Sequence, residues 1–256
     1  MGARDEPPVE SGALVREHER VDDLQRSGLR IIQDPTRFRF SMDAVLLAEF
    51  ARVRAGDRCI DLGTGTGVIP LLLSARGNPA EIVGLEILED VADMARRSVR
   101  LNGLSDKISI IHGDLKEAVG MFGAESFDVA LSNPPYIRAD RGTVNLTDEL
   151  AVAKHEIACT LEDVVQAAGR LVRSRGRVAM VHRPGRLVDL LVLMRGAGLE
   201  PRRLRFVQAR MGQAPMMVLV EAVKGACPDL AVQPPLILYG EDGSYTPEAN
   251  RIYFGP

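Results

Sequence analysis

Residues 58–70 read RCIDLGTGTGVIP. A short apolar run ends in an acid, Asp61, glycines alternate at Gly63, Gly65 and Gly67, and a helical pattern, VIPLLLSA, begins at once. A strand that stops in a glycine turn and passes directly into a helix is the opening unit of a parallel α/β sheet, which binds its ligands at the carboxyl ends of the strands. Glycine suits such a turn because it enters left-handed backbone freely and lets a ligand approach the main chain. The dinucleotide fingerprint G-x-G-x-x-G is met only in its first half: its third place is Val68, and the third glycine comes one residue early. The plain alternative, a tight turn with no ligand, accounts poorly for three alternating glycines.

Outward from this turn the chain alternates. EIVGLEI (81–87) reads as a strand, and EDVADMARRSVRLNG (89–103) as a helix with Val91, Met94, Ala95, Val99 and Leu101 on one stripe and an exit at Asn102-Gly103. KISIIHGD (107–114) and SFDVALS (126–132) are strand patterns. TLEDVVQAAGRLVRS (160–174) reads as a helix capped by Thr160, with Glu162 and Asp163 in its first turn. GRVAMVH is a fifth strand, GRLVDLLVLMRGAG a helix, and PRRLRFVQ and APMMVLVEAVK two final strands. The pattern predicts an α/β fold, a Rossmann-like doubly wound sheet of seven strands with helices on both faces. Its last strand should insert antiparallel, because only a short loop joins it to the sixth. Residues 1–20, polar and proline-bearing, are predicted to be a disordered tail. Residues 21–225 form one domain, and 226–256, rich in proline and turn residues, form a C-terminal extension.

The chain has 256 residues, 46% hydrophobic and 26% charged, as ordinary globular proteins do. No stretch approaches the roughly 20 apolar residues of a membrane span. The N-terminal MGARDEPPVESG lacks the apolar core of a secretory signal. The cysteines, Cys59, Cys159 and Cys227, are odd in number and without metal-like spacing, which fits a reducing cytoplasm and predicts no metal. His18, His112 and His182 form no ligand spacing either, and His155-Glu156 lacks the second histidine of a zinc-protease helix. The net charge of −3 hides a basic stretch. Between 170 and 210 stand Arg170, Arg173, Arg175, Arg177, Arg183, Arg186, Arg195, Arg202, Arg203, Arg205 and Arg210, against only Asp189 and Glu200. Such a cluster is either a solvated face or a docking face for phosphates.

LSNPPYI (131–137) follows the fourth strand. Two prolines end the strand abruptly and stiffen the bend. The Asn133 side-chain oxygen and the Pro134 carbonyl can then accept hydrogen bonds at one point, with Pro135 rigidifying the corner and Tyr136 available to stack on a flat ring. An exocyclic amine conjugated to a ring is a poor nucleophile, and acceptors placed around it help it pyramidalise.

D-x-G-x-G-x-G resembles motif I of class I S-adenosylmethionine (AdoMet)-dependent methyltransferases, and NPPY resembles motif IV of those that methylate nitrogen conjugated to a planar system. The resemblance implies AdoMet as cofactor, with Asp61 toward its ammonium group, Gly63, Gly65 and Gly67 against its amino-acid head, and Asp114 toward its adenine amine. Glu86, at the end of the second strand, can accept both ribose hydroxyls of any ribose-bearing cofactor. Before motif I, LQRSGLRIIQDPTRFRFSMDAVLLAEFA (24–51) resembles the tRNA1(Val) adenine-N6 methyltransferase family, the small-domain methyltransferases. There FSMDAVLLA (40–48) corresponds to a helix closing over AdoMet, which implies cofactor-side roles for Ser41 and Asp43. The resemblance continues through GLEILEDVADMARRSVRLNGL, SNPPY, KHEIACTLEDVV and MVHRPGRL, covering roughly 21–225. It implies methylation of an adenine amine in RNA, foremost tRNA, docked on the arginine-rich 170–210 stretch. Three alternatives stay open: the glutamine amide of release factors, a guanine amine in rRNA, and a catalytically silent AdoMet-binding module. The release-factor group carries a long helical domain before motif I, whereas sixty residues precede Asp61 here. The sequence sets no oligomeric state.

Overall fold

The computed structural model describes residues 14–36, 42–134 and 159–255. A small antiparallel hairpin, β1 (Arg20–Asp23) and β2 (Arg30–Gln33), precedes helix α1 (Met42–Phe50). The main sheet follows: β3 (Arg58–Leu62), α2 (Val68–Ser74), β4 (Glu81–Glu86), α3 (Glu89–Leu101), β5 (Ile108–His112), α4 (Ala118–Phe122) and β6 (Phe127–Ser132). Beyond residue 158 come α5 (Leu161–Leu171), β7 (Val172–His182), α6 (Leu187–Gly196), β8 (Leu199–Gln208), β9 (Met217–Lys224), β10 (Ala231–Ile237) and α7 (Pro247–Phe254).

The strands lie in the order β5-β4-β3-β6-β7-β9-β8-β10, and β9 alone runs against the rest. The seven-strand frame is therefore the expected one, with its seventh strand antiparallel. Order reverses at β3, where the chain leaves one half of the sheet for the other, so the crevice of a doubly wound sheet opens beside the glycine turn. Successive residues of a strand face opposite sides. Cys59, Leu131, Ala179, Val181, Leu219 and Val207 accordingly pack on the face covered by α1 and α2. Ile60, Leu62, Ala130, Met180, Val218 and Val220 pack on the face covered by α5 and α6.

Three boundaries differ from the sequence reading. Residues 14–20, read as the end of a disordered tail, are packed: Leu14 is buried with Ile32 and Met94, Arg97 donates to the Leu14 carbonyl and to Glu19, and Arg20 opens β1, while residues 1–13 lie outside the described residues. The helix expected to run to Ser174 stops at Leu171, and β7 starts at Val172, which pairs with Phe127 before a register shift. Val172 is fully buried, and strand pairing overrides the helical pattern there. Residues 231–254, read as part of an extension, add an eighth strand parallel to β8 and a helix. Pro234 and Pro235 disguise β10 in the sequence. An edge strand tolerates them because one row of its backbone groups needs no partner.

Leu236 on β10 is 1% exposed and belongs to the core on the α1 face. Leu236→Ala is expected to cost about 2–5 kcal/mol, the usual range for a buried Leu truncation. Denaturant unfolding should show the whole transition shifting as one, whereas an unchanged main transition would mean that β10 is a separate appendage.

Candidate active site

Asp61 is the fourth residue of β3, lying between Gly84 of β4 and Leu131 of β6. It is fully buried, and neither carboxylate oxygen has a hydrogen-bond partner of good geometry among the described residues. Burial pushes its acid up to about 7, the nearby Thr64 hydroxyl offsets this only in part, and the Glu86 charge adds to the rise. Thr64 Oγ1 is itself buried and unpartnered among the described residues. An unpaired buried carboxylate is costly to keep, and a cation beside it would relieve that cost.

The glycine turn bends away from Asp61 with Gly63, Gly65 and Gly67 all in left-handed backbone, at φ of 74°, 57° and 85°. A Cβ on Gly63 or Gly65 would meet no protein atom within 4 Å, so open space lies over the turn. Gly67 is different: its Cβ would stand 3.2 Å from that of Ala95, so it serves the packing of the turn on α3. Four of the turn's N–H groups are already engaged. Gly63 and Thr64 donate to the Leu85 carbonyl, Gly67 donates to the Thr64 carbonyl, and Gly65 donates to Glu86 Oε2 at 2.9 Å. A pyrophosphate would find these donors occupied and a carboxylate pair beneath it, whereas a cationic amino-acid head fits both features.

Glu86 ends β4, is 1% exposed, and accepts from the Gly65 and Leu88 N–H groups with its two oxygens. It thus ties the glycine turn to the start of α3. The sequence signal for this tie was only its place three residues before the first residue of α3. Asp114, half-buried beyond the end of β5, accepts from the Lys116 N–H at 2.9 Å and caps a short helical turn. Gly113 beside it donates to the Glu86 carbonyl, so Asp61, Glu86 and Asp114 sit on the carboxyl ends of three adjacent strands.

Asn133 and Pro134 follow β6, the strand on the other side of β3. Asn133 is half-buried and Pro134 buried. Ser132, which the sequence reading passed over, donates from its hydroxyl to the Leu62 carbonyl at 2.8 Å. That bond pins the end of β6 to the end of β3 and brings the Asn133 corner beside the glycine turn. Pro135 and Tyr136 lie outside the described residues, as does Ser41. Asp43 lies in the first turn of α1, near enough to Tyr253 that it joins burial and the neighbouring tyrosines in pushing that phenol up.

The arginine-rich stretch does not form one face. Seven of its eleven arginines pair with carboxylates: Arg173 with Asp128, Arg177 with Asp57, Arg186 with Asp189, Arg195 with Glu200, Arg202 with Asp229, Arg203 with Glu221 and Arg205 with Glu248. Five of those partners lie outside 170–210, so the charge surplus of the segment is largely balanced by the rest of the fold. Arg173, Arg175 and Arg177 stand on the first half of β7, away from the carboxyl ends that carry the site.

Cys59 is buried, and burial pushes its thiol up to about 12, which leaves no thiolate there for nucleophilic work. Among the described residues no three His, Cys, Asp or Glu side chains converge as a metal site, and no helix is long and apolar enough to cross a membrane.

The family described as "Methyltransferase small domain" matches residues 40–186. A tRNA1(Val) (adenine(37)-N6)-methyltransferase of Porphyromonas gingivalis is 30% identical, covering 87% of this chain and 89% of its own. One of the same name from Tolumonas auensis is 27% identical over 85% of this chain and 89% of its own. Among solved structures, a predicted O-methyltransferase, protein Atu636 from Agrobacterium tumefaciens, matches with a TM-score of 0.69 at 24% identity, covering 84% of this chain and 96% of that one. At that identity the structural likeness speaks for the fold.

Proposed function

The chain belongs to the methyltransferase small-domain family, and from that premise we propose that it methylates the exocyclic amine of an adenine in tRNA, with AdoMet as donor. AdoMet, when bound, supplies a methyl group on a sulfonium, which needs alignment with a nucleophile more than acid–base assistance. The residues of this chain fit that cofactor. Asp61 takes the ammonium group, the open Gly63 and Gly65 backbone lies along the amino-acid head, Glu86 accepts from the ribose hydroxyls, and Asp114 accepts from the adenine amine of the cofactor.

Asn133 and the Pro134 carbonyl accept from the substrate amine, holding its lone pair toward the methyl group. Pro135 fixes the corner, and Tyr136 stacks on the extruded base. Ser41 and Asp43 close the cofactor side. No protein nucleophile is needed, and the excess proton passes to water. The observation that supports this reading most is the juxtaposition of an orphaned carboxylate on β3 with an asparagine corner on the adjoining strand. A tRNA substrate also implies a cytoplasmic enzyme.

The test is nucleoside mass spectrometry after incubating the protein and AdoMet with total tRNA, in parallel with a release factor. N6-methyladenosine should accumulate in the tRNA. Methylglutamine in the release factor, N2-methylguanosine in RNA, or no transfer to any acceptor would each overturn the adenine reading.

A further inference from the structure

A cavity of about 390 Å³ opens between α1, the β8–β10 edge of the sheet and α7, apart from the glycine turn. Arg26, Arg203, Arg205 and Arg251 line it, with Glu49 and Glu248 as the acids. The surrounding ion pairs do not balance. Glu49 is shared by Arg26 and Arg76, Glu221 by Arg203 and Arg52, and Glu248 takes Arg205. Arg251 is exposed and has no ion pair among the described residues. Five guanidinium groups thus share three carboxylates, and Arg251 makes a sixth cation.

The cationic side of this cavity is built and held. Arg203 lies over the Phe50 ring, 3.9 Å from its centroid, and donates to Glu221 and to the Phe50 carbonyl. Its Nε is buried with no partner among the described residues. Burial and the neighbouring Arg52 and Arg205 charges lower the Arg203 pKa against the pull of Glu221, and burial also lowers that of Arg76. Positive charge kept under such strain is relieved by an anion, and guanidinium forks match the oxygens of a phosphate.

Position ties this cavity to the reaction centre. Arg205 pairs with Leu219, Leu219 with Val181, and Met180 with Ser132, so Arg205 stands level with Asn133 across three strand spacings. At about 4.8 Å each, that is about 14 Å along the sheet. Asp61, two residues from Cys59 on its strand, faces the side of the sheet on which α1 and the cavity lie.

We infer that this cavity receives a backbone phosphate of the RNA, on the strand that flanks the target adenine. The inference rests on the RNA substrate proposed above and adds where the RNA docks. It keeps two arginines of the 170–210 stretch, Arg203 and Arg205, and adds Arg26 and Arg251, which are distant in sequence.

Unmodified tRNA transcripts serve as the probe. Arg251→Glu changes an exposed side chain, and Arg205→Gln provides a second, independent variant. KM for tRNA should rise about tenfold in each, the size of a lost charge-assisted bond, with the loss falling on KM rather than on kcat. The salt dependence of KM should flatten by about 0.7–0.9 in log–log slope per phosphate contact removed, a readout that a merely structural change would not move. AdoMet affinity, read by thermal shift, reports the fold separately. Wild-type KM and salt slope in both variants, alongside a wild-type enzyme that methylates tRNA, would overturn the inference and leave the adenine reading standing. A wild-type enzyme that methylates no tRNA overturns both.

Discussion

Asn133→Ala is expected to lower kcat about a thousandfold while AdoMet affinity stays at the wild-type value. Removing one preorganised hydrogen-bonding group from a developing charge typically costs 10²–10³ in rate. Asn133 sits at the upper end because its partner, the Pro134 carbonyl, is main chain and cannot move to compensate. The side chain is half-buried and lies beyond the last residue of β6, so its loss opens no core cavity. Steady-state kinetics with tRNA, paired with thermal shift in AdoMet, check this. A variant with wild-type kcat would mean that the amine is not held at this corner.

Asp61→Asn should have two effects of opposite sign. Asp61 titrates near 7 when folded and near 4 in the open chain. Between those values the folded state holds a proton that the unfolded chain has released. Stability from this group is therefore full below about pH 4 and is lost as pH rises through 7, by about 4 kcal/mol in all. Asparagine carries no such charge, so the cofactor-free variant should be more stable than wild type at pH 8 and should lack this slope.

The cofactor acts in the reverse direction. Its ammonium group pairs with ionised Asp61, so AdoMet affinity in the wild type should weaken up to tenfold per pH unit below 7 and level off above it. The variant should bind AdoMet roughly a hundredfold more weakly at pH 8, the loss of a charge-assisted buried bond. Thermal melts from pH 5 to 8 with and without AdoMet measure both effects. Equal melting temperatures for wild type and variant across that range would contradict the orphaned carboxylate.

What could be read from the sequence was local. The glycine turn, Asp61 and the Thr160 cap of α5 are each set within a few residues, and the structure adds that Asp163 bonds back to Thr160. The arrangement of strands was legible because periodicity and loop length decide it. Charge was not. Arg177 reads as part of a basic patch until Asp57, 120 residues away, is found against it. The β10 edge was hidden for a similar reason: its prolines deny a strand by local rules, and only pairing with β8 explains them. Glu86 lies between these cases. Its place at the end of β4 pointed to a ligand, while its grip on the Gly65 and Leu88 N–H groups depends on how the turn folds back over the strand.

The most direct measurement is a crystal structure with S-adenosylhomocysteine bound. Its ammonium group should meet Asp61, its ribose hydroxyls Glu86, and its sulfur should point across a gap one planar ring wide toward Asn133 Oδ1. A ligand seated away from the Asp61 turn, or an asparagine corner turned from the sulfur with no room for a base between them, would contradict the assignment of this site.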